Sequence, residues 1–526
     1  MPNDKSWLLE PDAREWETKK EKRKETNTDN NNYYYNDDDN NENNENNVEY
    51  EDESEESEDD PTNLKGKELK RCFEGIFGKP VIRQEWLEDG RNSVDTEESE
   101  RKATWTDLFL DLVFVAAISK LGLAFRISIE EEVSIATALG EFYAIFLPYF
   151  MHWFSMTGYS NRFDNGDGLH ELFHILSVIL FAWSAANLAV CNYLTFEHEK
   201  DFQSCSNISI FFGVLHVIAL LMYLRVFIGL RKARSFVSNY IVYNFILASL
   251  WLSMGLVDLF VPHLSLASFT AFWWVTVILQ VAGPFVLIPF FRFYLFPMLG
   301  LFLAHTRNIP LNIELYTERI SCFFIIALGE AIVASTYIPP ELLSGPGLEK
   351  WEYYLISLCI IATAFNLKLT YFDTGRTSVH DINLHALRWN WKLGLIWIVL
   401  HIPVVSSTLI VSSYFELALS TGHLDATSRW VFCLAMSFDL VSLTLLQICH
   451  KPAPNHCPVR TWIRLGCRCL ISLVIALLPL IPEDSFKATY LILAFVILSS
   501  IGTLLDFSRW GELDSSHSHR TLDHVA

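Results

Sequence analysis

The stretch Trp105–Leu121, WTDLFLDLVFVAAISKL, opens the first long apolar segment of a 526-residue chain. It carries two acids four residues apart, Asp107 and Asp111. A helix turns once every 3.6 residues, so that spacing puts both carboxyls on one face. A related block, Tyr316–Ser335, YTERISCFFIIALGEAIVAS, returns about 210 residues later. Two acid-marked helices heading two apolar halves are the frame on which the rest of the chain is read.

Outward from Trp105, runs of mostly apolar residues recur as far as residue 507, each roughly 20 residues long and able to cross a hydrocarbon core of about 30 Å. The chain is 51% hydrophobic. It lacks the short alternating segments of a barrel. The expected fold is therefore all-α: a polytopic transmembrane helical bundle of about 12 spans. They lie near 105–125, 138–158, 170–193, 207–230, 239–261, 267–291, 318–337, 353–372, 392–414, 428–449, 462–482 and 487–507. Residues 267–305 leave two paths open. Gly283-Pro284, Pro289, Arg292 and Pro297 interrupt a long apolar run, which crosses once as a kinked helix or returns as a re-entrant piece.

The net charge of -21 is mostly a property of the tail, since residues 37–60 hold 14 acids and no base. That composition argues against nucleic acid as a partner. Residues 1–100 are too poor in aliphatic side chains to offset chain entropy and are expected to be a disordered acidic tail. The ten cysteines form no CxxC pair, so neither a disulfide framework nor a metal site is expected. The polar start MPNDKSWLLEPDAR is no secretory signal, which leaves the first apolar helix to direct insertion.

Lys and Arg favour the cytosolic side of short loops. With the N-terminus inside, inner loops hold Arg162, Arg231, Lys232, Arg234, Arg292, Arg307, Arg376, Arg388, Lys451 and Arg460, and outer loops hold Arg126, Lys200 and Lys350, with Lys487 at an outer span edge. Both termini are thus expected in the cytosol. Trp105-Thr106-Asp107 and Tyr316-Thr317-Glu318 open spans 1 and 7, and Phe163-Asp164 and Phe372-Asp373 follow or close spans 2 and 8. Offsets of 211 and 209 residues point to two six-helix pseudo-repeats, parallel across the membrane if residues 267–305 cross once and inverted if they cross twice; the charge bias favours the parallel arrangement. The expected divisions are the tail, 1–100; a first transmembrane half, 101–310; a second, 311–510; and a short C-terminal tail, 511–526.

These residues resemble the low-temperature-requirement A (LtrA) family of membrane proteins. Asp107-Leu-Phe-Leu-Asp111-Leu-Val-Phe-Val is similar to its first-helix pattern, with Asp where Glu is usual. Tyr159-Ser-Asn-Arg-Phe-Asp164, Glu318-Arg319 to Gly329-Glu330, Tyr371-Phe-Asp373 and His401-Ile-Pro403 resemble later blocks in the same order. The resemblance spans about 105–510 and implies an integral membrane protein without a settled biochemical activity.

A charge at mid-bilayer costs about 2.5–3.5 kcal/mol or more, so such residues pair, face the bundle interior or line water. Glu330 sits some 12 residues into span 7, about 18 Å deep; it is an ion or proton site, or a buried structural acid. Asp107 suits helix capping through Thr104. Asp111 lies a turn deeper, where capping no longer accounts for it. Arg319, beside Glu318, either snorkels to the headgroups or pairs with Asp107 or Asp111 across the repeat interface. His401 and Asp439 lie mid-span, and Asp164 and Asp373 are repeat-matched acids at inner span ends.

No P-loop, Gly-x-Gly-x-x-Gly, HExxH or Gly-x-Ser-x-Gly is present, and no cofactor is implied. The leading expectation is a transporter or channel for an ion or small solute, with Asp107, Asp111, Glu318, Arg319, Glu330, His401 and Asp439 along its pathway. An intramembrane lipid-modifying enzyme and a non-transporting sensor or scaffold remain alternatives. The expected partners are the lipid bilayer and a cation, proton or small solute, with a homo-oligomer left open.

Overall fold

The computed structural model describes residues 80–82, 104–164, 167–190, 199–256, 266–290, 309–336, 349–379, 384–451, 458–482 and 486–507. The expected disorder of the tail, and the path after Phe290, lie outside these residues. Twelve long helices are found among them, in the order expected: α1 Trp105–Glu130, α2 Ile135–Arg162, α3 Gly168–Val190, α4 Glu199–Gly229, α5 Arg234–Gly255, α6 Leu266–Ala282, α7 Ile313–Ser335, α8 Lys350–Val379, α9 Trp391–Thr421, α10 Ala426–Cys449, α11 Pro458–Leu477 and α12 Ala488–Phe507. Two two-residue strands, β1 Val81–Ile82 and β2 Phe163–Asp164, pair antiparallel at the end of α2.

Local chemistry sets the ends of these helices. Ser134, Asn312, Asn390 and Asp425 each cap a helix through a side-chain oxygen, and Gly422 closes α9 in the left-handed conformation that glycine tolerates. Gly283-Pro284 does not end α6. A π-helical turn, Gly283–Leu287, absorbs the proline and the helix runs on through Ile288–Phe290. Pro148 inside α2 frees the Ala144 carbonyl, and the Trp273 indole takes it at 2.9 Å. The Asn-x-Ser sequence Asn207-Ile208-Ser209 lies within α4.

Ten of the twelve helices are long and apolar enough to cross a membrane. The other two, α2 and α7, fall short of that length-and-composition measure and pack against helices of both halves of the chain. Outward faces are apolar, with Phe109, Leu112, Ile179, Trp183, Leu358, Phe365, Leu473 and Ile497 exposed. A water-facing surface would not carry such a belt; the chain is a multi-pass membrane protein set in a lipid bilayer.

The neighbour pattern repeats. α1 packs on α2 and α3, α3 on α4, α4 on α5, α5 on α6, and α2 on α6. Six helices later, α7 packs on α8 and α9, α9 on α10, α10 on α11, α11 on α12, and α8 on α12. The two sets meet where α1 and α2 face α7 and α9. Along this seam α1 and α7 run parallel and in step. Asp111 meets Arg319, Phe114 meets Phe323 at 5.5 Å between ring centroids, and Ser119 meets Glu330. Gly122 brings α1 against α9 so closely that a Cβ there would lie 2.6 Å from the Leu409 carbonyl oxygen.

Candidate functional site

The site is built on the first two turns of α1 and α7. Thr104 accepts the Asp107 backbone N–H, and the Asp107 carboxylate accepts the Thr104 hydroxyl at 2.8 Å, so a complete capping box fixes the Asp107 side chain. The box leaves the other Asp107 oxygen free to pair with Arg319 Nη1. One turn on, Asp111 takes a fork from the same guanidinium: Arg319 Nε donates to Oδ2 at 2.9 Å and Nη2 to Oδ1 at 2.6 Å. The Trp153 indole of α2 donates to the same Oδ1 at 2.7 Å. All three charged residues are buried; Asp111 is 0% exposed and Arg319 2%.

Arginine suits this place because its planar fork meets one carboxylate with two parallel bonds and still has a third donor for another. The triad nevertheless holds two negative groups against one positive. The N-terminal dipole of α1 supplies part of the remaining compensation.

A second set of contacts anchors the start of α7. Asn161, at the end of α2, donates to the Asn312 carbonyl at 2.9 Å and accepts the Asn312 N–H at 2.8 Å. Asn312 in turn caps α7. Arg162 Nε reaches the Ile309 carbonyl at 3.3 Å.

The predicted residues fall into separate places. Asp107, Asp111 and Arg319 come together, with Arg319 pairing across the seam rather than snorkelling. Glu318 is half-buried beside the triad and does not join it. Glu330 also faces α1 but sits about 16 Å farther along α7, at 1.5 Å per residue. It is half-buried beside Ser119 and the exposed Lys120. Asp111 and Glu330 therefore occupy two levels of one seam. Gly329 does not serve a close approach: the space a Cβ would take is open.

His401 is fully engaged in the second set, its Nδ1 donating to the Trp397 carbonyl at 2.8 Å and its Nε2 3.0 Å from the Tyr371 hydroxyl. Tyr371 stacks on Phe324 of α7 at 4.3 Å. Asp439 is buried in α10, 3.2 Å from the Thr408 hydroxyl. The Asp164 backbone pairs with Val81. The side chains of Asp164 and Asp373 lie outside the described residues. Among the described residues, no group of three or more His, Cys, Asp or Glu side chains is placed to hold a metal ion.

Residues 102–500 match the family described as bacterial low temperature requirement A protein (LtrA). The chain belongs to the LtrA family. No curated protein matches it. The blocks that resembled the family in the sequence converge on one helix of this LtrA protein. Asp107 and Asp111 reach α7 through Arg319, Asn161 through Asn312, and Tyr371 through Phe324, while His401 reaches Tyr371. Trp153 and Asn312 complete the site without having stood out in the sequence. An indole or amide in an apolar run carries no charge penalty that would mark it.

Proposed function

We propose that this LtrA protein is a transporter or channel for an ion or small solute, and that the seam between its two six-helix sets is the pathway. One observation carries the reading: two carboxylates share a single guanidinium, buried where the two sets meet. The unequal count gives a cation or proton a place to compete. Occupation of Asp107 or Asp111 weakens the hold on Arg319, and α1 and α7 are then free to shift. Glu330, half-buried beside Ser119, is a second negative station farther along the same seam. In this reading both termini face the cytosol, so the triad forms the inner mouth.

The test is flux in proteoliposomes loaded with a pH-sensitive or cation-sensitive dye. Loss of flux in Asp111→Asn and Glu330→Gln supports the pathway; wild-type flux in both variants removes it. One observation favours a second reading, that of a non-transporting sensor or scaffold: both Asp111 oxygens are satisfied and no part of it reaches solvent. That reading gains if both variants lose stability while no ion moves through the wild type.

A further inference from the structure

Asp439 lies midway along α10, fully buried, and its Oδ1 has no hydrogen-bond partner among the described residues. Its Oδ2 lies 3.2 Å from Thr408 Oγ1, which is itself 2.9 Å from the Val404 carbonyl. Where contacts are described, the charged groups on the neighbouring elements bond away from Asp439 or stand at another level. Arg429, ten residues earlier and about 15 Å along the helix, donates to the Ile481 carbonyl. Arg468 of α11 donates to Gln447, two turns beyond Asp439. On α8, Lys368 lies over the Phe365 ring and Glu352 pairs with Lys487. On α9, His401 is held by Trp397 and Tyr371, Lys392 lies over Trp391, and Glu416 is two turns past Thr408.

An ionised carboxylate with a single neutral partner in this position carries the full burial cost of its charge, with no counter-charge to offset it. A hydroxyl has only one proton to give. If Thr408 spends it on the Val404 carbonyl, a backbone contact common for helical threonines, its oxygen faces Asp439 as an acceptor, and the carboxyl must then be the donor. If Asp439 gives up its proton, the Thr408 hydroxyl turns to donate to the carboxylate.

We propose that Asp439 and Thr408 form a proton-binding site in the interior of the second helix set, loaded as the neutral acid at neutral pH. Loading forms one O–H bond on Asp439 and turns the Thr408 proton towards Val404; unloading reverses both movements. The site rests on this packing alone. Its coupling to flux rests on the transport reading above.

Infrared absorption of the full chain reconstituted in lipid bilayers reads the site directly. At neutral pH the wild type shows a carboxylic-acid C=O band that Asp439→Asn removes and that moves to higher frequency in Thr408→Val, where the hydrogen bond is lost. Wild-type and Asp439→Asn spectra that coincide in this region overturn the proposal, and so does a band that Thr408→Val leaves in place. If Asp439→Asn does not fold, the Thr408→Val shift decides alone. A band lost in Asp439→Asn with flux at the wild-type level keeps the site and removes its coupling to transport.

Discussion

Arg319 and Asp111, 208 residues apart in the chain, meet in a two-bond fork in which Nε lies 2.9 Å and Nη2 2.6 Å from the carboxylate oxygens. The pair joins α7 to α1 and so ties the two six-helix sets together. Desolvating both charges makes it a weak source of net stability but a costly one to break, because removal of one member leaves the other buried.

Arg319→Ala is therefore expected to destabilise the protein by about 3–5 kcal/mol. Arg319→Lys recovers only part of the loss, since an ammonium cannot hold the fork on Asp111 and reach Asp107 as well. Thermal unfolding in detergent, followed by intrinsic Trp fluorescence, checks the order wild type, Lys, Ala. Equal midpoints for Lys and wild type would show that charge alone suffices.

Two glycines of similar appearance in the sequence are expected to behave differently. A Cβ at Gly122 would press on the backbone of α9, so Gly122→Ala forces α1 and α9 apart and costs about 1–3 kcal/mol. Gly329 has open space at the same position, and Gly329→Ala is expected to be neutral or mildly stabilising through its better helix propensity. Unfolding midpoints of the two variants, measured side by side, decide this.

The capping box at α1 is testable without touching a charge. Thr104→Ala removes the acceptor for the Asp107 N–H and the donor to its carboxylate, at a cost of about 1 kcal/mol. Thr104→Ser keeps both bonds and is expected to match the wild type in the same unfolding measurement.

A pH dependence follows from two histidines outside the spans. His385, which caps the short helix Ala386–Trp389, and His450, which follows α10, have ring centroids 4.8 Å apart. Burial, together with the facing imidazoles, pushes His385 down to about 3, and burial pushes His450 down to about 4. Both are neutral in the folded protein at pH 7. The unfolded chain takes up their protons near the ordinary histidine pKa of about 6.5, and the folded chain does not. Stability is thus fully present above that pH and falls as pH drops from there towards 4. The unfolding midpoint is expected to decline over this range, and His450→Asn to flatten the decline. A decline of the same slope in that variant would place the titration elsewhere.

Much of this architecture is legible in the residues. Runs long enough to span a bilayer mark the helices because lipid leaves the backbone few other options. The repeat shows because Asp107 and Glu318 mark matched helices, although α7 starts earlier than expected, at Ile313, and carries Glu318 in its second turn. For Arg319, sequence alone left two outcomes open, since an arginine near a helix end either reaches the headgroups or finds an acid. Only the packing of α1 on α7 selects the second. Gly283-Pro284 reads as a break because local propensity cannot register a π-turn that absorbs the proline. That Glu330 lies deeper than Asp111 was legible from their places in matched spans; that both line one seam needed the packing of α1 on α7.

The in-step, same-direction alignment of α1 and α7 bears on how such a molecule arises. Halves related by inversion require an ancestor that inserts into the bilayer both ways up. Halves pointing the same way need only a single six-helix unit that pairs with its own copy, after which tandem duplication joins the partners. The Arg319–Asp111 bridge would then descend from a contact between two separate subunits, and a chain divided between α6 and α7 should still reassemble around it.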